Sequence, residues 1–286
     1  MKIIPIRQIK ASDEVNFSEV FKIRDLQSLL NGKDMIQELH RHDYFFVLVL
    51  KKGKGSHEID FNSYKVCDNS IFFLRPGQVH QLTLKAGSSG YLMQFKTDFY
   101  YQNESSSREL LRKAGNKNFC RLSMQKVKKL LSVLDDIFQE YSDKQEGYKE
   151  VIKANLGIFF IELIRGQRNK KDFKDSNTMY SQERIEKLSE LLEANVNKIK
   201  QVSQYAEMMN LSVYQLNAIT KEVLGKTCSE LINEHIILES KRYLLATSNQ
   251  VNQIAYSLGY EDISYFIRFF RKHTGYSPNL FRETFK

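Results

Sequence analysis

Four of the six histidines, His40, His42, His57 and His80, fall within one glycine-punctuated stretch. His40 and His42 are two residues apart. Alternate residues of a strand face the same side, so both rings can turn into one interior, and with His80 they supply three imidazoles, enough to hold a divalent metal. His57, beside Glu58, reads as a surface hairpin residue. A second group of candidates lies near the C-terminus, where Arg268 can fork onto a guanine edge and Lys221, Lys226, Arg271 and Lys272 can meet phosphate. The formal net charge of +9 invites such a partner. However, residues 181–286 carry 13 Lys and Arg against 12 Asp and Glu. Most of the positive charge therefore lies elsewhere, and bulk charge carries no argument.

The elements that must position the histidines read as β structure. Tyr44 to Leu50, His57 to Phe61, Ser70 to Leu74, Val79 to Leu84 and Tyr91 to Phe95 are short apolar runs separated by Lys51-Lys52-Gly53-Lys54-Gly55 and Pro76-Gly77. This is the pattern of an antiparallel sandwich or small barrel. From Ser123 the period changes to about 3.6, with Val127, Leu130, Leu131, Leu134, Ile137, Phe138 and Tyr141 on one side of a helix. A second helix is expected from Tyr148 to Arg165. The stripe Leu130, Leu134, Ile137 and Tyr141 suits either pairing of two chains or packing on the barrel, and both readings stand at this point.

Beyond Arg165 the run Gly166 to Asn177 is polar and aperiodic, as in an interdomain linker. Everything after it reads as helices with short turns. Laying Gln201 to Leu231 over Gln250 to Phe281 reveals a duplication. Ala206 falls on Ala255 and Leu211 on Tyr260. After one extra residue in the second turn, Ser212 meets Asp262, Leu216 meets Phe266, Ile219 meets Phe269, Lys221 meets Arg271, Gly225 meets Gly275 and Thr227 meets Ser277. Each copy has the parts of a helix-turn-helix. The small Ala206 or Ala255 lets two helices cross. Tyr205, Met209, Leu211, Leu216 and Ile219, or Ile254, Leu258, Tyr260, Phe266 and Phe269, fill the wedge between them. Ser212 or Asp262 caps the second helix, and Gly259 suits a left-handed turn. A helix over Glu230 to Ala246 joins the copies and can hold two recognition helices about one DNA turn, roughly 34 Å, apart.

The string Gln253-Ile254-Ala255, Leu258-Gly259-Tyr260, Phe266, Phe269-Phe270-Arg271 and Gly275-Tyr276-Ser277-Pro278 resembles the signature of the AraC/XylS family of transcription regulators, over about a hundred residues. The β region resembles that family's cupin-like sensor domain more loosely. The resemblance implies an α+β protein of two domains, an N-terminal cupin-like antiparallel β-barrel with flanking helices and a C-terminal all-α domain with two helix-turn-helix units joined by a long helix. The expected bounds are 1–165 for the sensor and dimerisation domain (barrel 36–97, helices 123–165), 166–180 for the linker and 181–286 for the DNA-binding domain, with units at 202–223 and 251–273.

On the two recognition helices the exposed residues of the first two turns are expected to meet base edges: Val213, Tyr214, Asn217 and Ala218, then Ile263, Ser264, Ile267 and Arg268. The family often has arginine where this chain has Ala218, which directs the first unit toward Tyr214, Asn217 or methyl contacts. Tyr265, Phe266, Phe269 and Phe270 are read mostly as core.

His40-x-His42 and Pro76-Gly77-x-x-His80 resemble the two halves of a metal-cupin motif. The acidic ligand that cupin enzymes usually place four or five residues after the second histidine is here Phe46 or Val47. No metal, other cofactor or catalytic residue is therefore expected. His40, His42, Tyr44, Phe46 and His80 are assigned to an effector pocket, with purely structural histidines as the alternative.

The expected partners are double-stranded DNA, a small-molecule effector and a second copy of the chain, with RNA polymerase as a further candidate. The alternatives are a metal-dependent cupin enzyme fused to a DNA-binding module and a regulator without an effector. The N-terminus has no apolar signal core, no run reaches membrane-spanning length, and Cys67, Cys120 and Cys228 form no C-x-x-C pair. A cytoplasmic protein is expected.

Overall fold

A computed structural model describes residues 6–7, 17, 20–100, 105–167 and 176–285. In chain order the first part contains β1 (Ile6–Arg7), β2 (Phe21–Asp25), α1 (Leu26–Leu30), β3 (Met35–His42), β4 (Phe45–Lys52), β5 (Gly55–Ile59), β6 (Asn62–Val66), β7 (Ser70–Leu74), β8 (Val79–Leu84), β9 (Ser89–Phe95), α2 (Thr97–Tyr100), α3 (Ser105–Ala114), β10 (Phe119–Arg121), α4 (Met124–Asp143) and α5 (Tyr148–Gln167). Then follow α6 (Ser176–Asn195), α7 (Val202–Met208), α8 (Val213–Leu224), α9 (Cys228–Ala246), α10 (Val251–Ser257), α11 (Ile263–Thr274) and α12 (Pro278–Phe285). The chain forms two compact units that part between Gln167 and Ser176. Of the stretch expected as a linker, Gly166 and Gln167 end α5, residues 176–180 open α6, and residues 168–175 lie outside the described residues.

In the N-terminal unit two five-stranded sheets form, ordered β1-β3-β8-β5-β6 and β10-β7-β4-β9-β2. The run Phe46 to Leu50 is apolar throughout because β4 is covered on both faces. Phe46, Leu48 and Leu50 point into the space between the sheets with Phe72, Leu74, Leu82 and Leu84. Val47 and Val49 point outward beneath Leu130, Leu134, Ile137, Leu156, Phe159 and Phe160 of α4 and α5. Leu130, Leu134 and Ile137 are thus buried in the core of the N-terminal unit, with Tyr141 partly buried against it. Of the two readings of that stripe, packing on the barrel is the one observed. Strands β2 and β10 extend the sheet beyond residues 36–97, because pairing with β9 and β7 is a long-range choice that local pattern does not encode.

In the C-terminal unit Tyr205, Ala206, Met209, Leu216 and Ile219 are buried in the first helical pair and Ile254, Ala255, Leu258, Tyr260 and Phe266 in the second. Asn210 and Gly259, equivalent in the duplication, both adopt left-handed backbone at φ 54° and 73°. Helix α9 begins at Cys228, two residues before the expected start, because Thr227 and Glu230 form a capping box. Helix α12, the counterpart of the start of α9, is tied to the domain by Arg282, whose buried guanidinium donates to the carbonyls of Leu244 and Asn249 at 2.9 and 2.6 Å.

Candidate nucleic-acid interface and histidine cluster

The second helix of each pair starts from a cap. The Ser212 hydroxyl accepts from the backbone N–H of Gln215, and the Gln215 amide oxygen accepts in return from the Ser212 N–H. Asp262 accepts from the N–H groups of Ser264 and Tyr265 at 2.7 and 3.1 Å. On α8 Val213, Tyr214 and Ala218 are exposed, Tyr214 to 83%. Asn217 is half-buried, and its side-chain oxygen accepts from the backbone N–H of Cys228 at the start of α9, 3.0 Å away. On α11 Ser264 and Arg268 are exposed, and Ile263 and Ile267 are half-buried. Tyr265 is exposed beside them, whereas Phe266 and Phe270 are core and Phe269 is half-buried.

The charges make the two helices unequal. Helix α11 carries Arg268, Arg271 and Lys272 and no acidic residue, whereas α8 carries Lys221 beside Glu222. Arg268 stands 3.9 Å from Asp262, with both side chains largely exposed, a separation and setting in which an ion pair holds little. Lys226, in contrast, is paired with Glu234 at 2.6 Å. Lys200 donates to the Gly259 carbonyl at 2.8 Å and lies over the Tyr260 ring, so the segment after α6 braces the second turn. Burial raises the Tyr260 phenol and lowers the Lys200 ammonium relative to their ordinary values.

The histidines are assembled by a β-bulge. Met35 and Gln37 of β3 face Leu84 and Leu82 of β8, and the register then shifts so that His40, not Leu39, faces His80. One extra residue reverses the strand's parity and turns His40 and His42 inward. His40, His42, His57 and His80 are all buried. His57 therefore does not lie on the surface. It sits on β5 between β8 and β6, and with a period of two, the outward position of Glu58 requires His57 to face in. Its neighbour's charge was a signal for the opposite face.

Inside, His80 Nε2 lies 2.6 Å from His42 Nε2, His80 Nδ1 lies 2.8 Å from His57 Nε2, and His40 Nδ1 lies 2.7 Å from the Glu38 carbonyl oxygen. Tyr44 and Phe46 stack on His42, with centroids 4.4 and 5.4 Å away. All five residues assigned to an effector pocket thus lie close together. Burial drives the His57 imidazole down to about 3, with the nearby His40 as a lesser cause, so His57 is neutral at physiological pH. A separate cleft of about 790 Å³, lined by Asp25, Lys51, Tyr91, Met124, Leu131 and Asp135 among others, opens between α4 and the ends of the β4–β9 pair. Sequence pattern gave no sign of it, since its walls come from segments far apart in the chain.

Residues 33–157 match the AraC-like ligand binding domain family and residues 205–284 match a helix-turn-helix domain family. The HTH-type transcriptional activator RhaS of Pectobacterium carotovorum subsp. carotovorum (strain PC1) is 23% identical over 250 residues, covering 85% of this chain and 87% of that protein. The bifunctional transcriptional activator/DNA repair enzyme AdaA of Bacillus subtilis (strain 168) is 28% identical over 108 residues, 38% of this chain and 51% of that protein. Among solved structures, ToxT from Vibrio cholerae O395 superposes with a TM-score of 0.42 at 17% identity, covering 92% of this chain and 98% of that one, a likeness too weak to carry an argument. No helix among the described residues is long and apolar enough to cross a membrane. With both family matches in the expected order, the chain belongs to the AraC/XylS family of transcription regulators, a ligand-binding β domain followed by a DNA-binding helix-turn-helix domain.

Proposed function

We propose that this regulator reads double-stranded DNA with α8 and α11 in successive major-groove segments, under the control of a small molecule bound by the N-terminal unit. The observation that carries the DNA reading is the duplicated pair of capped helices whose first turns expose Val213, Tyr214 and Ala218 on one and Ser264 and Arg268 on the other. Ile263 and Ile267 flank Arg268 and supply apolar contact to thymine methyl groups. Lys221, Arg271 and Lys272 meet phosphate, and Lys226 does so only after leaving Glu234. Asn217 contributes by holding α8 on α9. A mobility-shift titration against duplexes from the chain's own upstream region tests this, with random duplex as competitor in moderate salt. Equal affinity for every duplex would overturn it.

The effector is placed among His40, His42, Tyr44, Phe46 and His80. The cleft beside Tyr91 and Asp135 is a second location, favoured by a volume in the range of small-molecule pockets. A ligand of the native state raises the melting temperature. Screening sugars, aromatic acids and lipids against Tyr91→Ala and His42→Ala variants separates the two locations. No reaction is proposed for the chain.

Two copies pair through α5, whose Val151, Ala154, Ile158 and Ile161 are exposed and spaced three, four and three residues apart, the spacing of a helix–helix seam. The working compartment is the cytoplasm, where DNA and RNA polymerase, a further candidate partner, are both met.

A further inference from the structure

We propose that the cleft between α4 and the ends of the β4–β9 pair binds a small organic acid, its carboxylate held by Lys51, Lys52 and Lys128 and its apolar body by α4. This deepens the reading of the cleft as a second location for the effector, and rests on it. The cleft has a volume of about 790 Å³, within the range of small-molecule sites. It lies on the α4 side of the sheet, and none of the four buried histidines lines it.

Strand register and the start of α4 give the cleft two unlike ends. Tyr91 stands opposite Asp25 on one side and Val49 on the other, whereas Ser89 stands opposite Lys52 at the end of β4. The Asn69 carbonyl accepts from the N–H of Leu122, so α4 sets out beside the lysine end. It reaches the Tyr91 end with Asp135, which accepts from the Tyr91 hydroxyl at 2.6 Å. Between the two ends, Met124, Val127, Lys128 and Leu131 recur every three or four residues on the face of α4 that lines the cleft. Val127 is buried and Leu131 half-buried, and Met124 is 73% exposed, a large apolar side chain left uncovered at the cleft. Met124 to Leu131 spans about 10 Å at roughly 1.5 Å per residue, enough to cover an aromatic ring or a short alkyl chain.

The charges select an anion. Both carboxylates of the cleft already accept from internal donors: Asp135 from Tyr91, and Asp25, the cap of α1, from the N–H and hydroxyl of Ser28 at 2.8 and 2.9 Å. The Tyr91 phenol is held above its ordinary value, first by burial and then by its bond to Asp135, so it stays a donor at physiological pH. Lys51, Lys52 and Lys128 are exposed, and none of them has an ion-pair partner among the described residues. An ammonium is a point charge that holds a carboxylate without a forked geometry. A cationic ligand would meet three like charges, and a neutral one would forgo the attraction. Asn69, Ser89 and Ser132 add neutral hydrogen-bonding groups. An acid with an apolar body satisfies the lysines and covers Met124 and Leu131 at once.

The test is isothermal titration calorimetry of the full-length chain with benzoate, phenylacetate and hexanoate, each beside its primary amide, and with benzylamine. At least one acid is expected to bind saturably with a Kd of about 1 mM or below, as its size permits. Its amide should bind about 10-fold more weakly, the loss of a charge-assisted contact. Lys51→Gln combined with Lys52→Gln should weaken the acid about 10-fold and leave the amide unchanged. Met124→Ser should weaken acid and amide alike. These side chains are exposed, so the variants should fold, and thermal unfolding without ligand checks it. The proposal is overturned if none of the three acids binds, if an amide or benzylamine binds as tightly as the acid, or if the double lysine variant keeps the affinity. If the acids fail while a neutral sugar binds the wild type and is lost in Tyr91→Ala, the acid is overturned and the cleft stands as a ligand site; if the sugars fail as well, the reading of the cleft falls with it. None of these readouts involves DNA, so failure here leaves the DNA reading intact.

Discussion

The side-chain oxygen of Asn217, on the helix expected to read bases, accepts a hydrogen bond from the backbone N–H of Cys228 at the start of α9, 3.0 Å away. That N–H belongs to the first turn of α9 and has no partner within its own helix. Asn217 thereby links α8 to the start of α9. Asn217→Ala is expected to cost about 1 kcal/mol locally. Hydrogen exchange in the first turn of α9 should accelerate about fivefold, with affinity falling on every duplex. A change of sequence preference with unaltered exchange would assign Asn217 to the bases instead.

Arg268 and the basic residues behind it should separate into specificity and general affinity. Arg268→Ala is expected to cost about 1–3 kcal/mol on the best duplex and to relax preference at one or two base pairs. Arg271→Ala or Lys221→Ala should weaken all duplexes alike and reduce the salt slope of log Kd by about 1. Lys226→Ala should do less than Lys221→Ala, because Lys226 is engaged by Glu234. Titrations on matched and mismatched duplexes at several salt concentrations measure all four.

The equivalent turn residues Gly259 and Asn210 should tolerate change very differently. A Cβ on Gly259 would lie 2.1 Å from the Asn197 carbonyl oxygen, in a backbone at φ +73°. Gly259→Ala should cost more than the roughly 1–2 kcal/mol of left-handed backbone alone and displace the segment braced by Lys200. Asn210→Gly should be close to neutral. Thermal unfolding and DNA affinity of the two variants give the comparison.

Acid should loosen α9 before it affects the sheets' apolar core. Glu230 is held below the ordinary carboxylate value of 4.5, first by the backbone N–H of Thr227 and then by its hydroxyl. A carboxyl with a depressed folded pKa stabilises above its unfolded value and loses that contribution as pH falls from about 4.5 through the lowered one. Exchange at the start of α9 should therefore quicken over that window in the wild type. It should be nearly independent of pH there in Glu230→Gln, whose amide still accepts the capping bonds.

The outward residues of α5 should govern association and those of α4 should govern folding. Ile158 and Ile161 are 48% and 39% exposed, whereas Leu134 is wholly buried. The double substitution Ile158→Glu and Ile161→Glu should yield a folded monomer by sedimentation velocity. Leu134→Glu should fail to fold, since it places a charge in the core. A wild type that is monomeric at all concentrations would remove the pairing proposal.

Much of this protein was determined by its sequence alone. The duplication between Gln201 and Phe281, its caps at Ser212 and Asp262 and its small residues at Ala206 and Ala255 are local or evenly repeated features, and a helical pair carries its own instructions within some twenty residues. The apolar runs of the barrel and the period change at Ser123 were legible for the same reason. Tertiary structure decided what depends on parity and on distant partners. A single bulge between Gln37 and His40 selects which residues of β3 face inward, and the pairing of β5 with β8 brings His57 to His80 although Glu58 beside it faces water. It likewise buried the α4 stripe, left that of α5 exposed and drew Asn217 onto Cys228. In a strand or helix the chain fixes the spacing of side chains, but the side that becomes the interior is set by what packs against it.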